Sequence, residues 1–279
     1  DQYEEISVQL DRYIELDTEG QELFSTDTSI WPEKYGAPAV GLYRPELAQM
    51  MVNAVGMENI SFNHEVASVE NVADKAICHF SNGKSYESDL LIGADGINSK
   101  VREQLIGGVT FHPNELYAYR FRSVINISDV DIDPAAQTGF YKRDGWLSYI
   151  PIGKGKAYWF GSVSGAETFD DFIAFFSDWK RTPIPETLKK TPADLLVQSP
   201  LQDVDGIPYK WTHGRITLIG DAAHPMMPDM AQGASQTFVD ALVIRDVFAR
   251  TQNVEEALHE YEMKRREVAS AVVKISQKG

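Results

Sequence analysis

Residues 215–236 read Arg215-Ile216-Thr217-Leu218-Ile219-Gly220-Asp221-Ala222-Ala223-His224-Pro225-Met226-Met227-Pro228-Asp229-Met230-Ala231-Gln232-Gly233-Ala234-Ser235-Gln236. Ile216 to Ile219 is a short, mostly apolar run, as in a buried parallel strand. Gly220 and Asp221 follow at once, so the strand delivers a flexible residue and a carboxylate to its carboxyl end, where open α/β sheets take ligands. A Pro- and Met-rich loop comes next. From about Gly233 to Arg250, Phe238, Val239, Leu242, Val243 and Val247 fall one turn apart and predict a helix. Its free first-turn N–H groups and positive end point back toward whatever Asp221 holds, and favour a ligand that develops negative charge.

Upstream, Asp89-Leu90-Leu91-Ile92-Gly93-Ala94-Asp95-Gly96-Ile97-Asn98-Ser99-Lys100-Val101-Arg102 has the same logic. An apolar strand ends in a tight turn. Gly93 and Gly96 let a backbone or a ligand come close. Asp95 can accept from hydroxyls, and Arg102 can neutralise a diphosphate. Taken alone, the segment is equally a plain turn followed by a solvated arginine.

Together the two segments resemble the "DG" and "GD" fingerprints of the FAD-dependent group A aromatic hydroxylases, the family of p-hydroxybenzoate, salicylate and urate hydroxylases. The likeness runs over essentially the whole chain and includes the Arg44-x-x-Leu47 helix start. It implies an α/β (overall α+β) fold: a partial Rossmann-like FAD-binding domain of the p-hydroxybenzoate hydroxylase type, with an antiparallel-sheet substrate domain. The implied division is 1–108 as partial FAD-binding domain, with residues 1–40 packed on the substrate sheet. Residues 109–208 form the substrate domain, and 209–279 the GD segment with the C-terminal helices.

The resemblance also implies roles. Gly220 and Asp221 hold the ribityl side of FAD, and Gln232, Gly233 and Ala234 line the helix start that faces the flavin. Pro228 stands beside the oxygen-reacting carbon as the catalytic position. Asp95, Gly96 and Arg102 serve FAD and NAD(P)H, Arg44 contacts the cofactor from its helix start, and Val66 supports the adenosine end. His224 is common in this pattern without being a base, so a packing or hydrogen-bonding role is expected. Two positions depart from the pattern. Ala231 stands where many relatives have Gly, and Val239 where they often have Glu.

The family opens with a strand, a Gly-x-Gly-x-x-Gly turn and a helix, and that turn pattern occurs nowhere in these 279 residues. The sequence reading is therefore of an N-terminally truncated chain with weak or no FAD binding by itself, or one that pairs with a second copy. A targeting segment could be lost with such a segment.

From Ile60 to Ala94 the pattern is β-rich. Strands are expected near 60–62, 65–71, 76–81 and 84–88, with Asn82-Gly83 as a hairpin turn. Residues 6–24 read as two strands and a turn, 25–41 as loop, 169–180, 185–190 and 254–276 as helices. The aromatic-rich sheet supplies the substrate candidates Tyr117, Tyr119, Trp146 and Tyr149, with Phe121, Tyr141 and Tyr158 behind them and Arg120 and Arg122 as anion anchors. Most alternating aromatics on a sheet are core, so one or two contacts with substrate are expected.

Composition narrows the partners. With 41 acidic against 26 basic residues the net charge is −15, which repels phosphate backbones and argues against nucleic acid. The single cysteine, Cys78, excludes an internal disulfide. The histidines stand at no metal-ligand spacing. No window has the apolar length of a membrane span, and the cytoplasm is the default compartment. The implied reaction hydroxylates a small aromatic or heteroaromatic substrate with FAD, NAD(P)H and O2. A same-fold epoxidase, halogenase or reductase is the alternative, or a non-catalytic regulatory relative. Against a halogenase, the run at 146–151 has Trp146, Ile150 and Pro151 but Ser148 in place of a second Trp.

Overall fold

The computed structural model describes residues 2–277. The chain divides into two units, 1–60 with 114–201 and 61–113 with 202–279. The first boundary assigned from the sequence, residue 108, therefore moves. All of the first 60 residues group with the antiparallel sheet, because strands Arg12–Leu16 and Glu22–Asp27 are hydrogen-bonded into it.

In the first unit, seven strands lie in the order Val197–Pro200, Tyr119–Asn126, Lys156–Val163, Gly145–Pro151, Ala136–Lys142, Arg12–Leu16 and Glu22–Asp27. Every neighbouring pair is antiparallel except Ala136–Lys142 beside Arg12–Leu16. Alternation along each strand sorts the side chains onto two faces. One face carries Phe121, Ile125, Leu147, Tyr149 and Trp159, which form a buried core with Phe172 and Phe176. The last two come from helix Phe169–Phe176, whose start is fixed by a capping box between Thr168 and Asp171. Phe172 lies 4.7 Å from the Phe121 ring and stacks on Trp159 at 5.9 Å. Burying a side chain of this size contributes about 1.5–3 kcal/mol. The register sets Tyr141 opposite Trp146, Trp146 opposite Ser162, and Ser162 beside Phe160, which faces Arg122 on the next strand.

The unit also holds helix Arg44–Val55 and a strand pair, Ser7–Leu10 with Ala39–Leu42. The 25–41 stretch, expected as loop, contains helix Trp31–Tyr35 and strand Ala39–Leu42. Pro32 in the first turn and Gly36 at φ 78° bound that helix. The strand expected at 60–62 is absent, and residues 60–63 are irregular.

The second unit contains a three-stranded antiparallel sheet, Val66–Val72, Lys75–Phe80 and Ser85–Ser88, with the hairpin turn at Asn82-Gly83. Beside it is a parallel pair, Leu91–Gly93 with Ile216–Leu218. Helix Lys100–Ile106 follows the first strand of the pair, and helices Gly233–Phe248 and Val254–Ser276 follow the second. The core joins Ala76, Val101, Trp211, Ile216, Leu218 and Tyr261. Strand Phe111–Pro113 pairs with Gln202–Val204. No helix among the described residues is long and apolar enough to cross a membrane.

Candidate functional site

The parallel pair sets Leu218 against Gly93, and the Ile219 N–H donates to the Gly93 carbonyl at 3.0 Å. The strand ends are therefore level. The turns carrying Asp95 and Asp221 leave the same carboxyl edge, the place where α/β sheets bind ligands. Gly93 permits this closeness. A Cβ there would lie 2.8 Å from Val101 and 2.9 Å from Leu218.

Asp95 shapes its own turn. Its carboxylate accepts the N–H of Lys100 at 2.7 Å and of Val101 at 3.1 Å, and the hydroxyl of Ser99 donates to it. Ser99 in turn caps the helix by accepting the Arg102 N–H at 2.9 Å. A carboxylate has about four acceptor positions, so one is left for an outside donor. Gly96, at φ 78°, makes the bend.

Arg102 is buried, with only 3% of its surface exposed. Its guanidinium donates to the carbonyls of Asp221 at 3.2 Å and Ala222 at 3.0 Å, and to that of Ile97. Burial pushes its pKa down, while Asp95 and Asp221 pull it back up. The sequence reading made this side chain a diphosphate partner. In the fold its charge ties the DG turn to the GD turn, and only the buried Nε is left without a hydrogen-bond partner.

Asp221 is the open group. It is exposed and makes no side-chain hydrogen bond among the described residues. Its Oδ1 lies 3.9 Å from where a Cβ on Gly233 would stand, so the carboxylate abuts the start of helix Gly233–Phe248. That helix has no side-chain cap at Gln232 and no acidic residue in its first turn. Its leading N–H groups and positive end are open to an incoming acceptor. Pro228 and Ala234 are exposed close by in sequence, and Gln232 and Gly233 are half-buried.

Behind the GD turn is a buried network that sequence reasoning missed. Asp240 is fully buried. One of its oxygens accepts the Gly220 N–H at 3.0 Å and His224 Nε2–H at 2.7 Å, and the other accepts Arg265 Nε–H at 2.7 Å. Arg265 also reaches the Gln236 side chain at 2.6 Å, and the Tyr261 hydroxyl donates to the Leu218 carbonyl at 2.9 Å. Burial pushes the Asp240 carboxyl up, but the hydrogen bond and charge of His224, with the Gly220 N–H and Arg265, outweigh it and hold the pKa below the usual carboxylate range. The signal available was an aspartate inside the apolar run Val239-Asp240-Ala241-Leu242-Val243. His224 is fully buried and hydrogen-bonded, with Trp211 at 5.5 Å.

Val66 opens its strand opposite Phe80 and lines a groove of about 400 Å³ with Cys78, Gly93 and Asp95. The other candidates belong to the first unit. Arg44 is exposed at its helix start. Trp146 is half-buried, stacked on Tyr141 at 5.7 Å, with the Arg120 guanidinium 4.5 Å from its ring. Burial pushes the Tyr158 hydroxyl up, and Arg122, Arg120 and Arg44 draw it back. Tyr117 is half-buried. Tyr149 is a correction. It points into the helix-covered core, fully buried, with its hydroxyl donating to Thr187 Oγ1 at 2.9 Å. Phe121 shares that face, and Tyr119 packs against the same core. The alternation of the strands put them on the closed side.

Among the described residues no cluster of His, Cys, Asp and Glu could hold a metal ion. The family model "FAD binding domain" matches residues 33–276. The aurachin C monooxygenase/isomerase of Stigmatella aurantiaca is 30% identical, over 92% of this chain and 68% of its own. A FAD-dependent urate hydroxylase of Klebsiella pneumoniae subsp. pneumoniae is 29% identical, over 84% of this chain and 62% of its own. The chain thus spans about two thirds of the length of these relatives. The crystal structure of Klebsiella pneumoniae HpxO complexed with FAD and uric acid superposes with a TM-score of 0.87 at 26% identity, covering 99% of this chain and 73% of that one. With both fingerprint turns on one strand edge and a family match over most of its length, this chain belongs to the FAD binding domain family of flavoprotein aromatic hydroxylases.

Proposed function

We propose that this chain forms part of the FAD site and the substrate sheet of a monooxygenase that hydroxylates a small aromatic or heteroaromatic compound, with NAD(P)H as reductant and O2 as oxidant. The observation that carries this reading is the open carboxylate of Asp221 against the uncapped start of helix Gly233–Phe248. The residues fit the group: an acceptor suited to ribityl hydroxyls stands beside N–H donors suited to a flavin edge that gains negative charge. When bound, FAD supplies the redox chemistry and the protein orients it. Asp221 holds hydroxyls, the helix start stabilises charge, and Pro228 presents a rigid apolar surface at the loop. The last acceptor position of Asp95 serves the same ligand, and Arg102 keeps the two turns in register. On the sheet, Trp146, Tyr141 and Tyr158 offer aromatic surface, and Arg120 and Arg122 favour an anionic ring.

The test is a titration of the protein with FAD, followed by flavin fluorescence. Asp221→Ala should weaken binding by about tenfold or more, the loss expected for one or two hydrogen bonds to a charged acceptor, with the melting temperature unchanged. The loaded protein should oxidise NAD(P)H faster when given a phenolic or N-heteroaromatic acid. Equal FAD affinity in wild type and variant would remove Asp221 from the site. Reduction with no aromatic product would favour a reductase.

A further inference from the structure

We propose that Asp240 is a positioning residue for the FAD site: its buried carboxylate fixes where the Gly220-Asp221 turn stands relative to the start of helix Gly233–Phe248. The inference rests on the reading of that turn as the FAD cradle. Asp240 lies two turns into the helix and touches no solvent, so it cannot meet the cofactor itself. What it holds is the turn. Gly220 sits at φ 58°, a backbone state that needs glycine, and its N–H is fixed by Asp240 at 3.0 Å. The His224 N–H donates to the Gly220 carbonyl at 2.8 Å, closing the turn from its other side, while the His224 ring donates to the same Asp240 oxygen. Arg265, from helix Val254–Ser276, fastens the second oxygen.

One carboxylate therefore joins three pieces: the turn that presents Asp221, the helix whose N-terminus faces it, and the helix behind. The Asp221 carboxylate has no hydrogen bond among the described residues to set its place; only the Asp221 backbone carbonyl is held, by Arg102 at 3.2 Å. Its position is inherited from Gly220 on one side and from the Ala222 carbonyl, held by Arg102, on the other. A buried ion pair of this kind adds little net stability over apolar packing of the same shape. Its geometric effect on the turn is the property that apolar packing cannot replace.

Two variants test this. Asp240→Asn keeps the shape and removes the charge. The paired variant D240A/R265M removes acceptor and guanidinium together, so that no buried guanidinium is left without its carboxylate. For each, three quantities are measured: amide hydrogen exchange at Gly220 to His224 in the FAD-free protein, the melting temperature, and the FAD dissociation constant. The paired variant should stay folded but melt below wild type, because the Gly220 N–H and the His224 ring lose their acceptor. Its turn amides should exchange about tenfold faster or more, strand 216–218 and helix Val254–Ser276 should exchange as before, and FAD should bind about tenfold more weakly, a difference of about 1.4 kcal/mol. Asp221→Ala should weaken FAD without changing exchange at Gly220, which separates holding the ligand from holding the turn. A folded paired variant with wild-type exchange and wild-type FAD affinity overturns the proposal. So does a uniform loss of protection across the strand and both helices, because Asp240 would then be a core element only. If wild type itself takes up no FAD, the exchange comparison still decides whether Asp240 holds the turn.

Discussion

The guanidinium of Arg102 donates to the backbone carbonyl of Asp221 at 3.2 Å, across 119 positions of sequence. Two fingerprints that look independent in the sequence are thereby one structure. The arginine of the first holds the backbone that carries the acid of the second.

Arg102→Lys should for that reason behave as a disruptive change. Lysine offers a point charge where a planar fork now reaches the Ile97, Asp221 and Ala222 carbonyls together. Leaving buried acceptors without donors costs about 1–3 kcal/mol each, so a loss of about 2–4 kcal/mol is expected in equilibrium urea unfolding. A lysine variant as stable as wild type would mean that these contacts are incidental.

Tyr149 and Trp146 make opposite predictions on one strand. Tyr149→Phe removes a buried hydroxyl and its donation to Thr187, whose own hydroxyl still donates to the Pro183 carbonyl, which should lower stability by about 1 kcal/mol. Substrate affinity should not change. Trp146→Ala empties the aromatic face beside Tyr141 and Arg120, and should alter substrate affinity. The check is thermal melting beside a substrate titration for each variant. An effect of Tyr149→Phe on affinity at constant stability would restore that residue as a candidate.

The strands and helices around the fingerprints were legible from turn residues and the run of apolar positions. The helices Gly233–Phe248 and Val254–Ser276 lie close to the ranges read from the sequence, and Arg44–Val55 begins at the Arg44-x-x-Leu47 helix start. The two turns were legible where residue type dictates backbone geometry, as at Gly93 and Gly220. The site was illegible where function depends on distant partners. Arg102 reads as a solvated phosphate binder until the GD turn covers it. Asp240 reads as a polar residue on a helix until His224 and Arg265 are brought to it. Strand alternation placed Tyr149 and Trp146 on opposite faces, but nothing local says which face the helix Phe169–Phe176 closes.

Ala231 gives a prediction of the opposite sign. It adopts φ 51°, the left-handed region, at the end of the Pro228–Met230 turn. Glycine here would avoid the clash of Cβ with the following carbonyl, worth roughly 1–2 kcal/mol. Glycine also loses more freedom on folding, which offsets part of that gain. Ala231→Gly should thus raise stability by about 0.5–1 kcal/mol, read as a higher urea midpoint at unchanged slope. A lower midpoint would show that the alanine methyl has packing of its own.

The acid limb of the stability curve should carry the mark of Asp240. Its folded pKa lies below that of a free carboxylate, which is about 3.9 in the unfolded chain. Between those two values the unfolded state binds the extra proton, so stability falls as the pH drops through this window. Above about pH 5 the Asp240 contribution is fully present and flat. Asp27, Asp89, Glu103, Asp171 and Glu186 shift in the same direction but are solvent-exposed, where screening leaves them little weight. Asp240→Asn cannot titrate, so its stability should decline less steeply with acid. The difference in slope should reach at most about 1.4 kcal/mol per pH unit, the limit set by one proton. Urea unfolding of both proteins at pH 3, 4, 5 and 7 measures it. Parallel acid limbs would mean that the carboxylate is not held ionised by Gly220, His224 and Arg265, and that the anchor of the GD turn lies elsewhere.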